Sequence, residues 1–158
     1  MDAQFKKYFM KLISKEIESK YGRKILFDEN LANYSWFNLG GASEVFFKPS
    51  NIEDIIFFLK NVKPKKITIL GAGSNTLIRD GGIKGVTIKL NSNFSHLKLI
   101  SPHIIEAGAA TLDKKIADFA LKNSLTGLEF FACIPGSIGG AIRMNSGCYG
   151  EDISKILY

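Results

Sequence analysis

Cysteine, histidine and tryptophan are nearly missing from this chain, with two Cys, two His and one Trp among 158 residues. Cys133 and Cys148 supply neither a disulfide framework nor a metal ligand set. His96 and His103 stand seven apart with no acidic partner at ligand spacing, so no metal site is expected. Long apolar runs are lacking too. The densest, residues 55–59 and 67–70, fall far short of the roughly 18–20 residues that a membrane-crossing helix needs. Residues 1–19 mix Lys and Glu with apolar side chains and hold no continuous hydrophobic stretch, so no export signal and no stable membrane anchor are expected. A reducing, cytoplasmic setting is the expectation that follows.

Arginine is scarce as well, at three against eighteen lysines. The net charge of +6 is concentrated at one end, because residues 1–24 carry seven basic and three acidic side chains. No basic stripe is interleaved with aromatics, and no nucleic-acid partner is expected. What the chain does have is 46% hydrophobic residues, including twelve Phe. That content excludes disorder and suits one folded domain.

The spacing of Phe5, Tyr8, Phe9, Leu12, Ile13 and Ile17 predicts an amphipathic helix over residues 1–24, with Tyr21-Gly22 as its stop. Glu16 and Glu18 favour docking on its own domain over lying on a membrane. Residues 25–35 read as a connector. A strand around residues 45–48 is closed by Pro49. Ser50 to Glu53 reads as a capping box opening a helix with Ile52, Ile55, Ile56 and Leu59 on its inner face. Residues 67–70 read as a buried strand. Further strands are expected at 86–90, 97–100 and 104–107, the first after an Asp80-Gly81-Gly82 turn. Thr111 is expected to cap a helix from Leu112 to about Asn123, with Ile116, Phe119 and Ala120 inward. Residues 135–150 read as loop, and residues 153–158 as a strand cut short. No repeat appears. The order predicts an α+β fold built on a mixed sheet.

Glycine carries the chemistry. The first cluster, Gly71-Ala72-Gly73-Ser74-Asn75-Thr76, follows a strand directly. A Rossmann fingerprint needs a third Gly where Thr76 stands, and a P-loop needs a Lys-Ser/Thr pair that is missing. What remains is a bend whose successive amides can form an anion nest suited to a diphosphate, with Ser74 and Asn75 as added donors. The second cluster runs Ile134-Pro135-Gly136-Ser137-Ile138-Gly139-Gly140-Ala141 and continues through Met144-Asn145-Ser146-Gly147-Cys148-Tyr149-Gly150. Seven of the fifteen glycines lie in the two clusters. A planar ligand lying along bare main chain accounts for that density. A ligand-free glycine hairpin and tight loop packing are the alternatives the spacing leaves open. Arg143 stands beside the second cluster in what reads as loop. Nothing near Cys148 lowers its pKa.

Together these runs resemble the UDP-N-acetylenolpyruvoylglucosamine reductase (MurB) family, as do Ser35-Trp36-Phe37-Asn38-Leu39-Gly40-Gly41-Ala42 and Thr126-Gly127-Leu128-Glu129-Phe130. Asn38, where relatives often carry Arg, and Cys148, where Ala is commoner, depart from the pattern without breaking it. The resemblance implies an FAD-binding domain of the p-cresol methylhydroxylase (PCMH) type over residues 25–158, truncated at its C-terminal end and without its C-terminal substrate domain. It implies a reductase of peptidoglycan precursor synthesis, with NADPH as hydride donor through FAD and a UDP-sugar enolpyruvyl ether as acceptor. Gly71, Gly73, Ser74 and Asn75 would hold the FAD diphosphate. Pro135, Gly136, Ser137, Gly139, Gly140, Asn145 and Gly147 would run along the ribityl and ring portions. The family's catalytic Arg, proton-donating Ser and late Glu fall beyond the stretch equivalent to Tyr158, so no catalytic residue is assigned here, Arg143 included. An oxidase or dehydrogenase domain of the same fold, and a non-catalytic remnant or binding module, are the competing expectations.

Overall fold

The structure, a computed structural model, describes residues 21–22, 24–62, 64 and 66–158. Apart from Tyr21, Gly22 and Lys24, the helix expected over residues 1–24 lies outside the described residues. The chain divides into two compact units. One comprises the described residues up to Leu70 together with Thr76–Lys89, the other Gly71–Asn75 with Leu90–Tyr158.

The first unit is a four-stranded mixed sheet, in keeping with the expected α+β class. Its strands are β1 (Ile25–Asn30), β2 (Ala42–Phe47), β3 (Ile67–Leu70) and β4 (Ile83–Lys89), in the order β1-β2-β4-β3. β1 is antiparallel to β2, whereas β2 and β3 both run parallel to β4. The centre of the sheet is apolar on both faces. Val45, Phe46 and Phe47 of β2 and Val86 and Ile88 of β4 are all buried. Phe46 joins Leu31, Leu70 and Ile78 on one face. Phe47 stacks on Phe58 at a centroid distance of 4.2 Å on the other. Ser43 and Thr87 form a buried polar pair, their hydroxyl oxygens 2.8 Å apart. It is satisfied, as a buried hydroxyl must be, because Ser43 Oγ also lies 2.8 Å from the Val45 carbonyl.

Four expectations for this unit need correction. Residues 25–35 are no connector but β1 followed by a 3-10 turn, Leu31–Tyr34. Asp28 sits inside β1 at φ +52°, which breaks the apolar alternation that would have revealed the strand. Helix α1 (Ile52–Val62) turns Asp54, Phe58 and Val62 inward and leaves Ile52 and Ile56 exposed. Its cap lies one residue later than expected, with Asn51 Oδ1 accepting the Asp54 amide at 2.8 Å and Asp54 Oδ2 accepting the Ser50 amide at 2.8 Å. A charged residue on the buried side rotates the apparent apolar face, and Lys24 is why it can be there: its Nζ lies 2.6 Å from Asp54 Oδ2. Finally, β3 is an edge strand and not a buried one, with Ile67 and Ile69 exposed.

In the second unit, β5 (Leu97–Ser101) and β6 (Ile104–Ala107) form a hairpin. Helix α2 (Asp113–Lys122) packs against a 3-10 turn, Glu129–Cys133. Ile116 and Ala120 of α2 are buried and Phe119 half-buried. The core is Ile116, Phe130, Phe131, Ile138, Ala141 and Ile153. Here too the expectations shift. Thr111 does not cap α2; its Oγ1 donates to the His96 carbonyl at 3.0 Å, and Leu112 occupies the N-cap without a side-chain bond. The stretch 135–150 contains a helix, α3 (Ile138–Met144), and then a two-residue hairpin of β7 (Gly147–Cys148) and β8 (Glu151–Asp152). Residues 153–155 form a 3-10 turn capped by Asp152, not the start of a strand.

Burial alone would raise the Asp54 carboxyl, but the hydrogen bonds from Lys24 and Ser50 and the Lys24 charge outweigh it and hold the group below its ordinary value of 3.8. The stabilisation is therefore present above pH ~4 and is lost as pH falls through the depressed folded value. Lys24→Met should cost about 1–3 kcal/mol at neutral pH in urea denaturation, and the gap from the parent should close in acid below the ordinary carboxyl range.

Candidate functional site

The second glycine cluster is laid down along the segment that leads into α2. The Asp113 amide donates to the Gly136 carbonyl at 3.2 Å, the Ile138 amide to Thr111 at 2.9 Å and the Gly139 amide to Ala109 at 3.0 Å. Residues 109–113 and 136–139 thus run side by side, main chain against main chain. A Cβ on Gly139 would lie 2.9 Å from the Ala109 carbonyl oxygen, closer than side chains tolerate. Glycine is required here because nothing larger fits between the two backbones.

The first cluster meets the second at two points, both inside the second unit. The position a Gly71 Cβ would take is 3.0 Å from Ser137 Oγ. The position a Gly136 Cβ would take is 2.7 Å from Asp113 Oδ2 and 3.7 Å from Ser74 Oγ. Gly73 turns the first bend at φ +77°. Among the described residues, no hydrogen bond occupies the main-chain amides of Ala72, Gly73, Ser74 and Asn75. Successive uncommitted amides around a left-handed glycine form a concave donor array, the geometry that binds phosphate oxygens.

Gly71, Gly73, Ser74, Gly136, Ser137 and Gly139 are therefore drawn together, along with Gly140, which follows in the first turn of α3. Asn75 is exposed at the end of the bend, and Pro135 is exposed just before Gly136. Asn145 and Gly147 are placed at the opposite end of α3. Asn145 ends that helix in the left-handed region at φ +46°, and its Oδ1 accepts the Ser154 amide at 2.9 Å. Gly147 pairs with Asp152 in the terminal hairpin. Arg143 lies on α3, not in a loop, and is exposed. His96 Nε2 lies 3.2 Å from Glu106 Oε1, both side chains exposed. No group of metal-ligating side chains occurs among the described residues. Cys148 Sγ donates to the Phe130 carbonyl at 3.3 Å, and desolvation with Cys133 beside it holds its thiol above the ordinary value. A thiol so placed is a poor nucleophile.

One residue of this region escapes any reading of the sequence. Asp113 opens α2, is fully buried, and neither of its carboxylate oxygens has a hydrogen-bond partner. Nothing in a lone Asp near a helix start distinguishes it from a surface acid. In the fold its Oδ2 lies against Gly136, where the chain returns. Burial pushes its carboxyl up to about 6. Ionisation in the folded state is then disfavoured, so the unliganded chain loses stability as pH rises from the ordinary carboxyl value through about 6. The stability difference between Asp113→Asn and the parent should move in favour of the variant by about 2–3 kcal/mol between acid and mildly alkaline pH, read from denaturant midpoints.

Residues 43–157 match the family described as FAD binding domain. The chain is 50% identical over 144 residues to UDP-N-acetylenolpyruvoylglucosamine reductase of Pelagibacter ubique, covering 90% of this chain and 48% of that protein. It is 48% identical over 132 residues to the enzyme of the same name from Orientia tsutsugamushi, covering 81% of this chain and 44% of that one. Among solved structures, the MurB of Thermus caldophilus superposes with a TM-score of 0.66 at 26% identity, over 81% of this chain and 44% of the other. The chain thus spans about half the length of the relatives it matches. On the family match, which covers most of its length, the chain belongs to the FAD-binding domain family.

Proposed function

We propose that residues 25–158 form the FAD-holding part of a UDP-N-acetylenolpyruvoylglucosamine reductase, acting on a UDP-sugar enolpyruvyl ether with NADPH in cytoplasmic peptidoglycan precursor synthesis, and so serving cell shape and division. The observation that carries this reading is the meeting of the two glycine clusters around four uncommitted amides. Its specificity rests on the 50% identity to reductases of that name. Among the described residues no helix is long and apolar enough to cross a membrane, which suits an enzyme of small polar substrates.

On this reading Gly71, Gly73, Ser74 and Asn75 hold the diphosphate through amide and hydroxyl donors. Pro135, Gly136, Ser137, Gly139 and Gly140 offer bare main chain to the middle of the ligand, and Asn145 and Gly147 stand at its far end. The seven-residue helix between them puts Ser137 and Asn145 eight steps, or ~12 Å, apart at the α-helical rise. A small anion cannot touch both ends of such a site; an extended dinucleotide can. FAD, when bound, supplies the hydride relay between NADPH and the enolpyruvyl double bond. The chain's own residues bind and orient, and the group that protonates the adjacent carbon is assigned to the half of the relatives' length that this chain does not span. A covalent-flavin oxidase is disfavoured because neither cluster contains His and the Cys148 thiol is held protonated.

Titrating FAD into the purified chain should quench flavin fluorescence, and denaturation should release all of the flavin. Gly139→Ala should weaken FAD binding by at least tenfold, since relieving the clash with Ala109 costs roughly 1–3 kcal/mol and displaces the cluster. Absence of any flavin signal from the parent chain would overturn the reading. With NADPH and the enolpyruvyl sugar the chain alone should show no turnover, and measurable turnover would place the proton donor within these 158 residues.

A further inference from the structure

Asp113 forms a floor beneath the place where the two clusters meet. Its Oδ2 stands against Gly136 from one side, Ser74 Oγ faces the same glycine, and both carboxylate oxygens lack a donor. A fully buried carboxylate thus lies against the glycine that Ser74 also faces, and Ser74 belongs to the bend whose main-chain amides are uncommitted. Two like charges a few ångströms apart in a dry site repel strongly unless one is neutralised.

Among the described residues, no side chain hydrogen-bonds or ion-pairs with it. The first bend, Gly71–Asn75, and residues 135–140 contain no titratable group. On α2, Lys114, Lys115, Asp118 and Lys122 are exposed, and the 3-10 turn packed on that helix carries only the exposed Glu129 and Cys133 as titratable groups. His96, whose carbonyl holds Thr111, is exposed and lies beside Glu106. The remaining way to remove the negative charge is a proton on the carboxylate itself.

We propose that Asp113 takes up a proton from solvent when a diphosphate-bearing dinucleotide seats in the nest, so that cofactor binding and protonation of this one carboxyl are coupled. The only bond made in the step is the carboxyl O–H. Burial already lifts the group to about 6 in the unliganded chain, so at neutral pH it is mostly ionised yet inexpensive to protonate. The diphosphate raises it further. By linkage, a group whose pKa rises on binding makes affinity fall as pH climbs above the unliganded value. This inference rests on the FAD-holding reading and adds a proton to it.

Isothermal titration of FAD into the full chain, near neutral pH in PIPES and in Tris, measures the protons exchanged from the difference in apparent enthalpy. The expected result is uptake approaching one proton per FAD, with Kd weakening by up to about tenfold per pH unit above about 6. Asp113→Asn should bind FAD with no proton uptake and with a Kd that is flat across the same range. FAD binding without proton uptake by the parent, or an unchanged pH slope in Asp113→Asn, would overturn the coupling and leave the FAD-holding reading intact. Failure of the parent to bind FAD at any pH would instead remove that reading and the coupling with it. Should the variant not fold, the proton count on the parent decides alone.

Discussion

The second unit is organised by one steric constraint: two backbone segments, residues 109–113 and 136–139, lie so close that no Cβ fits between them at Gly139. Three amide-to-carbonyl bonds hold the contact, at Asp113, Ile138 and Gly139. This contact sets Gly136 against the buried Asp113 carboxylate. It also sets Ser137 where Gly71 passes it, and thereby fixes the first bend with its amides unspent. The donor array and the isolated carboxylate are two results of the same close approach. A side chain in the middle of it would loosen both.

How far the sequence reveals this depends on which signal each residue carries. Glycine density alone left a ligand-free hairpin and tight loop packing open; it was the family resemblance that set Gly71, Gly73, Ser74, Gly136, Ser137 and Gly139 along one ligand. The mixed sheet was legible from strand order. Helix α3 was not, because Gly139-Gly140 lowers helix propensity and the segment has only seven residues. Tertiary bonds at its start, from Ile138 and Gly139 back to Thr111 and Ala109, and packing of Ile138 and Ala141 into the core support it instead. Asp113 was not legible either, because its importance lies in what surrounds it and not in its neighbours along the chain.

The same lesson appears in the first unit with opposite sign. At Asp54 a buried acid is matched by a cation and by the Ser50 amide, and its carboxyl is held down. At Asp113 no donor is supplied, and the carboxyl is pushed up. Both stand in the first turn of a helix, and both are buried. The contrast separates a structural acid, whose charge the fold has arranged to keep, from one whose charge the fold leaves uncompensated. Periodicity misreads each of them, because it treats any acid on a helix as a marker of the solvent side.

The sheet of the first unit ends differently on its two sides. β1 is blunted by Asp28 in a left-handed kink and by Glu29. β3 has neither device: it pairs on one side only and shows Ile67 and Ile69 on an open face. Such an edge is a template onto which another extended segment can add, so colloidal behaviour at high concentration turns on this strand. Its defences are brevity, at four residues, the gatekeeper Lys66 ahead of it, and the glycine bend that ends it. The first glycine bend thus has a further consequence, in that it stops an aggregation-prone strand from growing longer.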